Sequence, residues 1–204
     1  MSIISFAMTT MRAALRQYFE DNGFGADGGY SEKWADFKVG RVPFPFPNTE
    51  ARKKAVKFHD LNHILTGYRT DIVSEFEISA WEIGAGCRNF AAAWVINLAG
   101  TAAGTFAAPI RTFRAFVRGR RQRASYWLPY EAALEREVDD VKRELGVSEA
   151  LHAVRLSDFV LFPFAFVAGL AVSTVMLSVL LSPVTLLLWW RGRALQRAGT
   201  SPTA

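Results

Sequence analysis

Of the three histidines in the chain, two stand four residues apart in Phe58-His59-Asp60-Leu61-Asn62-His63. On a helix, positions i and i+4 lie on one face, about 6 Å apart. That spacing lets one helix offer two imidazoles to one metal ion. Asp60 projects about 100° away from His59. It can serve as a ligand at the edge of the site or as a carboxylate that orients a ligand histidine. A third ligand has to come from another element. Glu75 falls near the start of the next predicted helix, on the face shared with Ser79 and Glu82, while Glu77 is turned away. Two imidazoles with one or two carboxylates suit zinc or another divalent transition metal, with a position open for substrate.

Two hydrolase classes fit poorly. The zinc-protease motif places Glu between its histidines as general base, and Asp60 is one methylene shorter. Phosphohydrolases with a His-Asp doublet need a further histidine upstream, whereas His152 lies downstream and reads as an ordinary surface residue.

The elements that must position these residues are helices. Residues 1–20 read as a helix; the absence of acids before Glu20 suits either an amphipathic first helix or an organellar transit peptide, and no secretory signal is evident. Residues 21–47 are rich in Gly, Asp, Phe and Pro and end in Val42-Pro43-Phe44-Pro45-Phe46-Pro47, which favours extended backbone. Phe44 and Phe46 are expected to dock on the core. A helix capped by Asn48 runs to Thr66, with Gly67 as its stop. A second, capped by Thr70 or Asp71, runs to about Ile83 and should pack antiparallel to the first. Residues 90–110 carry no charge and are dominated by small residues, which predicts a tightly packed core helix. In 130–145, Leu134, Val138, Val141 and Leu145 recur at helical spacing and predict one core-facing helix ended by Gly146.

The chain has 204 residues, half of them hydrophobic, a net charge of +5 and a single cysteine, Cys87. One cysteine excludes an internal disulfide and a thiolate zinc site. A basic balance favours anionic partners. No nucleic-acid motif accompanies it, and the apolar C-terminal third points to lipid. Residues 159–190 contain no charge and suit one membrane span or a re-entrant hairpin, bracketed by Pro163 and Pro183 and followed by Trp189, Trp190, Arg191, Arg193 and Arg197. Arg111, Arg114, Arg118, Arg120, Arg121 and Arg123 form a cluster that reads either as a membrane-facing basic helix or as a solvated charged face.

His59-Asp60-x-x-His63, eleven residues and then Glu75 resembles the signature of the fourth Coq protein of coenzyme Q (ubiquinone) biosynthesis, the Coq-four family. Also similar to it are His63-Ile64-Leu65-Thr66-Gly67, the stretch from Glu75 to Trp81-Glu82, Pro109-Ile110-Arg111, Pro129-Tyr130-Glu131 and Val141 through Val147. The likeness covers about residues 48–147. Residues 1–47 then form an N-terminal helix and wrapping segment, and 148–204 a C-terminal membrane-associated segment with a basic tail.

The resemblance implies an all-α fold and a divalent metal, zinc first, held by His59, Asp60, His63 and Glu75. It implies a polyprenylated aromatic quinone precursor as ligand and other ubiquinone enzymes as partners. It places the protein at a membrane, the bacterial inner membrane ahead of the mitochondrial one. The implied chemistry is oxidative decarboxylation with hydroxylation at ring carbon 1; for it, the residues themselves offer Asp60, Glu77 and Glu82 as candidate acid–base groups. The alternative is a non-catalytic lipid-binding scaffold that organises the biosynthetic complex.

Overall fold

Thr10 opens the first helix, α1 (Met11–Asn22), by accepting the Ala13 N–H at 3.3 Å, and Gly23 closes it in the left-handed region at φ 67°. Met11, Ala14, Leu15 and Phe19 form its buried stripe. The computed structural model describes residues 9–39, 42–150, 152–183, 185–187 and 189–191, with the backbone alone described in 34–39 and 42–47. The expectations for residues 1–8, for the Phe44 and Phe46 side chains and for Arg193 and Arg197 lie outside the described residues.

Eight α-helices and one short hairpin make up the described chain. The extended backbone expected from alternating proline is there: β1 (Trp34–Val39) pairs antiparallel with β2 (Val42–Pro47), Trp34 opposite Pro47 and Val39 opposite Val42. Everything else regular is helical, so the all-α reading holds for the domain.

The two helices that carry the histidines and glutamates follow their capping signals. In α2 (Glu50–Thr66) the cap is Thr49, which accepts the Arg52 N–H, one residue later than expected. Asn48 is instead buried and donates to the Gly29 and Glu32 carbonyls, tying down the preceding loop. Gly67 ends α2 at φ 76°, as its position predicts. Asp71 caps α3 (Ile72–Ala85) by accepting the Ser74 N–H.

Helix α4 (Ala91–Ala107) is the small-residue helix. Pro109 then starts α5 (Pro109–Gly119), and its missing N–H is one the first helical turn does not need. Backbones approach closely at two glycines: a Cβ at Gly119 would run into the Trp81 carbonyl, and one at Gly84 into the Phe116 carbonyl. These contacts seat α5 directly against α3. A 3-10 turn at Ser125–Trp127 leads to α6 (Tyr130–Leu134) and α7 (Val138–Leu145).

The single helix expected over 130–145 is therefore two. The chain opens at 135–137 because its backbone bonds the N-terminal segment: the Val138 N–H donates to the Thr9 carbonyl at 3.0 Å and the Met11 N–H to the Arg136 carbonyl at 2.8 Å. Leu134, Val138, Val141 and Leu145 are all buried nonetheless.

The last long helix, α8 (Leu156–Leu180), begins earlier than the charge-free stretch suggested and continues through Pro163. Asp158 sets its start by accepting the Arg155 N–H at 2.8 Å, and is itself held by Arg120 and Arg121. Twenty-five residues reach about 37 Å, enough to cross a hydrocarbon core of about 30 Å. This is the one helix among the described residues long and apolar enough to span a membrane, and little of it is buried in the domain. It leans on α4 at Gly169, where a Cβ would meet the Leu98 carbonyl. Thr174 through Val179 are exposed.

The arginine cluster does not present one shared basic face. Arg111 pairs with Glu77 at 2.6 Å, and Arg120 bonds the buried Asp158 at 3.1 Å beside Arg121. Arg118 donates to the Ser148 and Thr66 carbonyls, and Arg123 donates to the Glu144 carbonyl. Arg114 is exposed. Because α5 and the following turn thread between α3, α7 and the start of α8, acids and carbonyls from those elements meet the guanidinium groups.

Candidate metal centre

His59 and His63 come from consecutive turns of α2, and Glu75 from the first turn of α3 across from them. The antiparallel pairing of α2 and α3 makes this possible: His63 meets Glu75, while His59 reaches both Glu75 and, two turns further along α3, Glu82. The imidazole Nε2 atoms lie 3.1 Å apart, and Glu75 places Oε2 at 3.3 Å from the first and Oε1 at 3.4 Å from the second. One atom from each of the three residues lies within 4.8 Å of the others.

The opposite ring nitrogens decide what this convergence means. His59 Nδ1 sits 2.8 Å from Glu82 Oε1, and His63 Nδ1 sits 2.9 Å from the Tyr68 carbonyl oxygen. Both acceptors require Nδ1 to carry a proton. In neutral imidazoles the two Nε2 atoms are then lone pairs pointed at each other and at a carboxylate. Such a group of acceptors is stable only around a cation. Without a metal, a proton on His59 takes that place. Burial opposes the charge, but Glu82 and Glu75 outweigh it and raise the His59 pKa well above its ordinary value. Burial would likewise raise Glu75, yet hydrogen bonds from both histidines and their charge hold it down at about 2.

Glu82 is fully buried. Its Oε1 accepts from His59 and from Asn62 Nδ2 at 2.9 Å; its Oε2 accepts from Tyr126 at 2.6 Å and from Asn97. Desolvation opposes its charge, but His59 and these donors keep its pKa below the usual glutamate value. Glu82 therefore fixes the tautomer and orientation of His59, as a carboxylate behind a metal-binding histidine would. Fully buried among His59, Asn62, Asn97 and Tyr126, it has no exposed surface of its own, which fits a positioning role better than the acid–base role expected of it.

Asp60 is the expected ligand that the structure leaves out. One residue along the helix it points elsewhere, and its Oδ2 accepts the Tyr30 hydroxyl. Burial raises its carboxyl to about 6. This geometry also separates it from an acid–base role at the His59, His63 and Glu75 cluster. Glu77, turned toward Arg111, is likewise out of reach. His152 is half-buried beside Gln122 Nε2 at 3.2 Å and takes no part.

Several residues at the centre carry no motif in the sequence. Tyr18 of α1 stacks on His63 with ring centroids 5.5 Å apart and planes inclined 24°. Tyr30 restrains Asp60, and Asn62, Asn97 and Tyr126 enclose Glu82. Asn97 had a visible signal, a lone amide in the charge-free 90–110 stretch. The tyrosines, far away in sequence, had none.

The side chain of Glu75 is 38% exposed and that of His59 20%, so the ligand group opens to the outside on the Glu75 side. Three protein donors with an open side fit a catalytic ion better than a closed structural one. No family model, curated protein or solved structure matches this chain.

Proposed function

We propose that the chain is a membrane-associated metalloprotein of the Coq-four type that holds a divalent ion, zinc first, on His59, His63 and Glu75. Its ligand is a polyprenylated aromatic acid of quinone biosynthesis. The observation that carries the metal reading is the pair of facing Nε2 atoms 3.1 Å apart, each with its Nδ1 committed as a donor. The reaction rests on the motif resemblance: Ar–COOH, dioxygen, two electrons and two protons give Ar–OH, carbon dioxide and water. A two-electron donor is required besides dioxygen. When bound, the ion supplies a Lewis acid for the ring carboxylate or phenolate.

The chain's own residues supply the rest. His59 and His63 bind through Nε2, and Glu75 contributes charge at the open side. Glu82 and the Tyr68 carbonyl hold the two Nδ1 protons. The apolar surfaces of α4 and α8 are suited to sheathe a prenyl tail and to keep the protein at the bilayer. The open side at Glu75 favours an enzyme over a scaffold with a structural ion.

The test is metal analysis of the purified wild type beside a His59→Ala/His63→Ala variant, with lipid mass spectrometry of cells carrying each. Stoichiometric metal lost in the variant, with a carboxylated prenyl-ring precursor accumulating, supports the enzyme. Metal absent from both, with an unchanged quinone pool, overturns it. Glu75→Ala separates the alternative: lost product in an intact membrane complex indicates catalysis, and a lost complex indicates scaffolding.

A further inference from the structure

An open recess of about 400 Å3 is lined by Arg88, Asn89, Phe90, Tyr126, Trp127, Leu128 and Pro129. None of the metal-centre ligands lines it. Its walls are aromatic and its one formal charge is positive. Arg88 is exposed, and no carboxylate among the described residues lies within ion-pair distance of it. Its guanidinium carbon sits 5.0 Å from the centre of the Trp127 ring. Stacking of this kind holds the planar group flat while leaving its N–H edge available to an acceptor.

The position of Arg88 is itself built. Its backbone has φ 49°, the only positive value at a non-glycine residue among those described. Side chains with a Cβ rarely adopt that conformation. Trp94 supports it by donating its indole N–H to the Arg88 carbonyl at 2.9 Å. The surrounding rings are packed in place as well: Phe90 lies 5.0 Å from Phe58 and 5.1 Å from Tyr126, centre to centre. Trp127 remains 44% exposed, an uncommon surface for so large a ring to leave open to water.

We propose that this recess binds a flat aromatic acid, its ring against Phe90 and Trp127 and its carboxylate on the Arg88 guanidinium. The chemistry follows from the lining. An unpaired guanidinium selects an anion, and a planar one favours a carboxylate, which it engages with two parallel hydrogen bonds. Aromatic walls select a planar apolar body. The volume lies in the range that small organic ligands occupy. The site is independent of the metal reading. Even so, Tyr126 lines the recess and donates to Glu82, so one side chain touches both places.

The experiment is calorimetric titration of the full-length protein in neutral detergent with 1-naphthoate, and with uncharged 1-naphthalenemethanol. Saturable binding of the acid, at least about tenfold weaker binding of the alcohol, and a loss of at least about tenfold for Arg88→Gln are expected, from the strength of a charge-assisted hydrogen bond. The His59→Ala/His63→Ala variant should bind the acid as wild type does. Equal binding of acid and alcohol, or no effect of Arg88→Gln, overturns the proposal. Loss of binding in a double-histidine variant that keeps the wild-type circular dichroism overturns it too, because the anion then sits at the metal centre. Displacement of 1-naphthoate by phosphatidylglycerol vesicles but not by phosphatidylcholine vesicles would replace the aromatic acid with a lipid headgroup and also overturn it.

Discussion

Glu82→Gln tests the wiring of the proposed metal centre with almost no change in shape. Glu82 is fully buried, and all four of its partners donate to it: His59 Nδ1 at 2.8 Å, Asn62 Nδ2 at 2.9 Å, Tyr126 at 2.6 Å, and Asn97. A glutamine offers one oxygen and one NH2 group, and the NH2 must face one side of this cage. On the His59 side, the imidazole would have to accept at Nδ1 and carry its proton on Nε2, in the place of the metal. On the Asn97 side, the Tyr126 hydroxyl must turn its hydrogen away and accept instead, and the Asn97 amide turns over and presents Oδ1, a buried atom that now has no hydrogen-bond partner. The second arrangement costs less, so the variant folds and His59 keeps its tautomer.

The negative charge behind the ligand is what disappears. Loss of such a supporting carboxylate lowers metal affinity about 10–100-fold, or about 1.4–2.8 kcal/mol. Competition against a chromophoric chelator reads this directly, with circular dichroism as the fold control. A Glu82→Gln protein that folds and binds metal within about threefold of wild type would refute the role given to Glu82. Glu82→Ala should behave differently. It strands four buried donors at about 1 kcal/mol or more each, a total near 4 kcal/mol against the 5–15 kcal/mol that holds a typical domain together. That variant should unfold at a clearly lower denaturant midpoint than wild type, in contrast to Glu82→Gln.

Metal removal should lower stability by mass action. At an ion concentration of about a hundred times Kd the gain is about 2.7 kcal/mol, roughly 5–10 °C in Tm for a chain of this size, and the His59→Ala/His63→Ala variant should show no such shift in a chelator-against-metal melt. Gly119→Ala drives a methyl group into the Trp81 carbonyl on α3 and should cost about 1–3 kcal/mol or more in denaturant unfolding. Arg121→Ala leaves the buried Asp158 with Arg120 as its remaining ion-pair partner and should destabilise by about 1–3 kcal/mol, whereas Arg114→Ala should leave the unfolding midpoint unchanged. Equal effects of the two substitutions would show that the cluster acts as a surface after all.

Local chemistry could be read from the residues alone. Helix boundaries at Gly67 and Asp71 depend on backbone and cap geometry within one turn, and both stand where expected. The His59/His63 spacing and the placement of Glu75 and Glu82 on one face follow from helical periodicity. The apolar tail likewise depends on composition alone, and it is a long helix. Tertiary contacts decided what periodicity has no access to. Whether Asp60 joins the ligand group depended on Tyr30, thirty residues away, and the break at 135–137 depended on backbone bonds to Thr9 and Met11. The arginines of 111–123 look alike in sequence. Their division into ion-paired, carbonyl-bound and exposed members was set by which acids and carbonyls α3, α7 and α8 bring to α5. The tautomers of His59 and His63, on which the metal reading depends, come from Glu82 and the Tyr68 carbonyl. A hydrogen-bond acceptor placed by a second element leaves no periodic signal in the first, so those assignments become visible only when the two elements are packed together.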